Sequence, residues 1–209
     1  MEKKFIWSIG DASMEFSNGS MQYFKELEPA KDIEDVLYFY YDVLIKIGRR
    51  RLKLSTYDFP KVQNLHLFIQ EMINHKTKEE GYLLEDFQDG GFSRKIRYHQ
   101  LELEDTFWIE YFVRLEKYCY EVKQWDEETP NEFTTYKMTI GEIGNRSNGE
   151  SCVAWFINDL SEEKLLELAQ IAQDFVQYSI EQNNIQVEEW IKEAEEEKQR
   201  GDKENEETE

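Results

Sequence analysis

Three histidines, two cysteines and a surplus of carboxylates are the side chains here that could do chemistry, and their spacing argues against most of it. His66, His75 and His99 fall in no Cys-x-x-Cys, His-x-x-x-His or His-Glu-x-x-His setting, so no metal site is expected. His66 and His75 are nine residues apart, about two and a half helical turns, which places them on different faces of a helix. Neither Cys119 nor Cys152 has a histidine paired with it in the local sequence. Both sit in apolar, strand-like runs that suit buried, reduced thiols. No Gly-x-Ser-x-Gly elbow is present. The run Gly141-Glu142-Ile143-Gly144-Asn145 is neither a phosphate-cradling loop nor a dinucleotide fingerprint. The carboxylate pairs Glu85-Asp86, Glu104-Asp105 and Asp159 with Glu162 lose diagnostic value in a chain with 45 acidic residues. No cofactor is implied, and a catalytic role is not expected.

What remains is charge. The chain of 209 residues carries a formal charge of −20. Lys192–Glu209 holds nine acidic and four basic residues, leaving −15 on Met1–Ile191, so the folded part is itself anionic. Such a surface repels nucleic acid and anionic membrane and attracts a basic protein. The residues expected to meet that partner are Glu102, Glu104, Asp105, Glu110, Glu127 and Glu128, acids around the central strands, with Trp125 as an aromatic anchor beside Asp126-Glu127-Glu128. The basic islands Arg49-Arg50-Arg51 with Lys53, and Arg94-Lys95 with Arg97, are read as local counter-charges.

The elements that must hold these groups follow from periodicity. Phe5, Trp7 and Ile9 alternate as a strand, and Met14–Phe16 meets Met21–Tyr23 across Asn18-Gly19, a dipeptide suited to a hairpin turn. Ile33, Val36, Leu37, Tyr40, Val43, Leu44 and Ile47 recur at helical intervals between Pro29 and Gly48, which predicts a first helix. A second is predicted over 60–75, with Val62, Leu65, Ile69, Met72 and Ile73 on one face. From Tyr82 to Ile157 alternation predicts a meander of about five antiparallel strands. The last, Cys152–Ile157, is apolar on both faces and expected to be covered on both. Ser161 is placed to cap a long final helix whose stripe runs through Leu165, Leu168, Ala172, Phe175 and Val176. A break is expected at Asn183-Asn184.

The expected fold class is therefore α+β: an N-terminal hairpin of strands, two helices, the meander, and a long C-terminal helix packed on the sheet. It forms one domain over 1–191, with a disordered acidic tail over 192–209. With 40% hydrophobic residues, no apolar leader and no long apolar run, the chain is expected in the cytoplasm.

In element order it resembles the helix-grip arrangement of START and Bet v 1-like proteins, a resemblance that spans most of the chain and departs from it at the extra hairpin. It implies a cavity under the last helix for an apolar small molecule, which Trp108, Tyr111, Trp155, Phe156 and Phe175 are candidates to line. In charge and size the chain is also similar to anti-restriction, anti-CRISPR and nuclease-immunity proteins. The leading expectation is accordingly a non-enzymatic inhibitor that presents nucleic-acid-like charge to a basic, nucleic-acid-binding partner. A homodimer through the final helix is a further option.

Overall fold

Two antiparallel sheets, each followed in sequence by a helix, make up the molecule. The computed structural model describes residues 3–23, 29, 36–56, 61–103, 111–142 and 154–206. Strands β1 (Phe5–Ile9), β2 (Ala12–Tyr23), β3 (Val36–Ile47) and β4 (Arg50–Ser55) form a four-stranded meander. Helix α1 (Val62–Asn74) and the single turn α2 (Thr77–Glu80) lead into a five-stranded meander. Its strands are β5 (Tyr82–Asp89), β6 (Phe92–Leu103), β7 (Tyr111–Lys123), β8 (Asn131–Glu142) and β9 (Ala154–Leu160). Helix α3 (Glu162–Glu206) closes the chain. The class is α+β, and the five-strand meander and long final helix are where periodicity places them.

The predicted first helix is instead strand β3. Phe39, Tyr41, Val43 and Ile45 are buried while the residues between them are more exposed, a period of two. Aromatic and β-branched side chains favour this arrangement, and β3 is hydrogen-bonded on both sides, to β2 and β4. Gly48, expected to stop a helix, makes the β3–β4 hairpin turn at φ +58° and donates its N–H to Asp11 O at 3.1 Å. Asn18-Gly19 is likewise no hairpin. Strand β2 runs through it with a bulge in which Asn18 takes φ +56°.

One core joins both sheets to α1 and α3. Phe175 of α3 sits among the rings of Phe5, Phe16, Phe39 and Tyr41, at centroid distances of 5.4–6.5 Å. Trp7 is fully buried and donates its indole N–H to Lys164 O at 2.8 Å. Ser161 caps α3, its hydroxyl accepting from Lys164 N. Tyr41 supports the start of α1, its hydroxyl accepting from Val62 N at 3.2 Å. Helix α3 is continuous through Asn183-Asn184. Asn183 donates Nδ2–H to Ser179 O, and its Oδ1 accepts from Met21 N of β2, so the helix is tied to the sheet where a break was expected.

Strand β9 lies at the sheet edge rather than under two layers. Phe156 is exposed on its outer face, and a bulge with Asp159 at φ +54° ends its regular pairing. Among the described residues, no helix is long and apolar enough to cross a membrane.

Candidate functional site

The five-stranded sheet has two unlike faces. Val113, Leu115, Met138, Ile140 and Ile157 point into the core with α1 and α3. The alternate residues point away, and among the described residues no helix packs on them. Register builds this open face strand by strand. Tyr82, Tyr98 and Tyr118 lie side by side across β5, β6 and β7. The next row is Ile96, Tyr120 and Phe133. The rings touch, with Tyr98 and Tyr118 at 5.3 Å and Tyr120 stacked on Phe133 at 4.6 Å. Tyr82 is 74% exposed and Phe133 49%, against an exposure near zero for most of the other face.

Charges on this face are matched locally. Arg94 pairs with Glu85 at 2.6 Å, Arg114 with Glu102 at 2.5 Å and Lys137 with Glu116 at 3.0 Å. Arg114 also lies over Phe112, and Lys137 over Phe156. The Tyr118 hydroxyl donates to Glu116 Oε1 at 3.1 Å. Burial first, then the adjacent Glu116 carboxylate, pushes the hydroxyls of Tyr118 and Tyr98 upward, so both remain protonated donors. A face that combines stacked tyrosines with neutralised ion pairs offers contact area and hydrogen bonds without net charge.

Of the acids expected at an interface, Glu102 lies on this face, bonded to Arg114. Glu104, Asp105 and Glu110 lie outside the described residues. Trp125 stands at the β7–β8 turn with 81% of its surface exposed. Glu127 beside it is turned into its own loop, accepting from Gln124 N at 2.9 Å and Asn131 Nδ2 at 2.6 Å, whereas Glu128 is exposed. Among the described residues a run of exposed carboxylates lies on α3, at Glu188, Glu189, Glu193, Glu195, Glu196 and Glu197.

The residues considered for an apolar ligand do not converge. Trp108 lies outside the described residues. Tyr111 and Trp155 pair at 6.2 Å, Phe156 is on the opposite face under Lys137, and Phe175 is in the core. The hollow beside the last helix is a groove of about 380 Å³ lined by Phe5, Phe16, Gly19, Phe175, Tyr178 and Ser179 among others. Of the four described, only Phe175 reaches it.

Sequence reasoning also missed a pair. The rings of His75 and His99 stack in parallel at 3.4 Å. His75 Nδ1 meets Thr77 Oγ1 at 3.0 Å, and His99 Nε2 is buried without a hydrogen-bond partner among the described residues. Beside them Lys117, almost fully buried, donates Nζ–H to Ile73 O at 2.6 Å and His75 O at 2.9 Å. It thereby satisfies carbonyls at the end of α1 that lack a cation of their own. Burial, then the facing His75, lowers the His99 pKa. Neither histidine lines a cavity described here, and the described residues contain no group of three metal-ligating side chains. The pair is a packing device; no local spacing signals it, since its members are 24 residues apart.

No protein-family model matches the chain, and comparisons with curated proteins and with solved structures give no match.

Proposed function

We propose that this chain is a protein-binding module that docks a basic protein on the open face of its five-stranded sheet. The observation that carries this reading is the tyrosine-rich face, with Tyr98, Tyr118, Tyr120 and Phe133 in ring contact, Tyr82 beside Tyr98 in register, and no helix over them among the described residues. Tyrosines supply large, rigid contact area at small entropic cost and are enriched where interfaces concentrate their energy. The −20 charge of the chain adds long-range steering toward a basic partner, faster and tighter at low salt. Contact is then local and aromatic. Glu85, Glu102 and Glu116 on this face are engaged by neighbouring cations, so charge selects the partner at a distance and stacking holds it.

The test is site-specific photo-crosslinking in extract of the native cell. A crosslinker at Phe133 or Tyr118 is expected to trap a basic protein, with yield falling as salt rises. The same group at Tyr38, exposed on the other sheet, is expected to trap none. Equal labelling from Tyr38 and Phe133, or none from Phe133, overturns the reading.

A further inference from the structure

Every open sheet is left with two edges, and this molecule treats its four edges differently. Strand β1 is only five residues long. Strand β4 carries Arg50, Arg51 and Lys53, and β9 is interrupted by its bulge at Asp159. Short length, cations and bulges are the usual protections against adding a foreign strand. Strand β5 has less of this. It is eight residues long, Tyr82, Leu83, Leu84 and Phe87 are exposed, and beyond a single bulge at Leu84 its register is regular from Glu85 to Asp89. Among the described residues it pairs with β6 alone.

We propose that β5 is the docking edge for an extended basic segment of the partner, added as a sixth strand beside the tyrosine face; this rests on the reading of that face as the partner site. Charge identifies the occupant. Strand β5 contains Glu85, Asp86 and Asp89 and no lysine or arginine; Glu85 is held by Arg94, Asp86 and Asp89 are exposed, and the strand's end meets the turn of Trp125 and Glu127. A cleft of about 570 Å³ lies there, lined by Asp89, Phe92, Trp125 and Glu127 together with Lys123. A strand alternating apolar residues with lysine or arginine would set its apolar side chains beside Tyr82 and Phe87 and its cations on the opposite face, beside Asp86. A second copy is a poor occupant. Antiparallel pairing of β5 with itself about Phe87 sets Glu85 against Asp89 on both sides, between two bodies of charge −20.

The experiment uses the full chain, isotope-labelled, with a blocked (Lys-Val)4 peptide and two comparison peptides, (Glu-Val)4 and backbone N-methylated (Lys-Val)4. Saturable shifts in the β5 amides with the first alone are expected, with exchange of those amides slowed about tenfold or more. Asp86→Lys and Phe87→Lys, at exposed positions that leave the core intact, are expected to weaken peptide binding at least about tenfold. Equal binding of the N-methylated peptide, or no β5 response, overturns the proposal. So do β5 shifts that depend on protein concentration without peptide, which assign the edge to a second copy. Crosslinks from Phe133 that persist in Asp86→Lys and Phe87→Lys leave the tyrosine face standing and remove only the sixth strand. Absence of those crosslinks in the unaltered chain removes the face itself.

Discussion

Gly19 of β2 lies so close beneath Ser179 of α3 that a β-carbon on it would fall 2.0 Å from the serine hydroxyl oxygen and 2.8 Å from its Cβ. The contact sets how near the long helix approaches the four-stranded sheet. It also explains Ser179, buried at a helix position where a larger residue would not fit and returning its hydroxyl to Phe175 O at 2.8 Å. Gly19→Ala is expected to destabilise the chain by about 1–3 kcal/mol, the usual cost of an overfilled interior. Ser179→Gly in the same chain should restore part of that loss, because it removes the clashing atoms. Denaturant titration of the two single variants and the double variant measures the coupling, and strict additivity refutes the contact.

This contact also shows where sequence stopped being informative. Asn18-Gly19 reads as a turn because positive φ and a missing side chain suit a hairpin, yet the same properties serve a bulge and a close approach. The stretch 36–47 fits two periods at once. Val36, Tyr40, Val43, Leu44 and Ile47 satisfy helical spacing, Phe39, Tyr41, Val43 and Ile45 satisfy alternation, and pairing with β2 and β4 decides for the second. Helices α1 and α3 were legible because each buries one apolar stripe at helical spacing. The candidate face was largely hidden. Tyr98, Tyr118 and Tyr120 occupy the alternate positions of strands read for their core side, and only register brings them together; of the interface residues expected from sequence, Glu102 alone is described on that face.

Lys117 offers a sharper test of how α1 is terminated. Its ammonium bonds to Ile73 O and His75 O and lies 5.7 Å from the Tyr136 ring centre, so it replaces the cap that the helix lacks. Lys117→Met keeps the stem and removes the donor. It is expected to cost about 1.5–3 kcal/mol, as for hydrogen bonds to a charged group, with faster amide exchange at 73–77 by mass spectrometry. Unchanged protection there means the bonds contribute nothing.

The stacked histidines make stability depend on mild acid. His99 titrates below its reference pKa of 6.5, because burial and then His75 and Lys117 disfavour its charged form more than Glu71 and Glu80 favour it. The unfolded chain therefore takes up a proton that the native state refuses. The contribution is complete above 6.5, the unfolded value, and is lost as pH falls through the lower folded value. Thermal unfolding followed between about pH 7 and pH 5 should show a falling midpoint, with a smaller fall in His99→Leu. Equal slopes for the two proteins would remove His99 as the cause.

Residues on the open sheet face should separate stability from binding, because they contact one another more than they contact the core. Trp125→Ala, at 81% exposure, is expected to change stability by less than about 0.5 kcal/mol. Phe133→Ser loses one stacked ring and some strand preference, about 1 kcal/mol. Phe175→Ala, which empties the meeting point of four aromatic rings, should cost about 3–5 kcal/mol. If the face holds a partner, retention of that protein in affinity capture should fall at least about tenfold for Tyr118→Ser with Phe133→Ser, while circular dichroism at working temperature stays unchanged. Retention equal to that of the unaltered chain, with folding intact, would mean that these aromatic residues are not the contact.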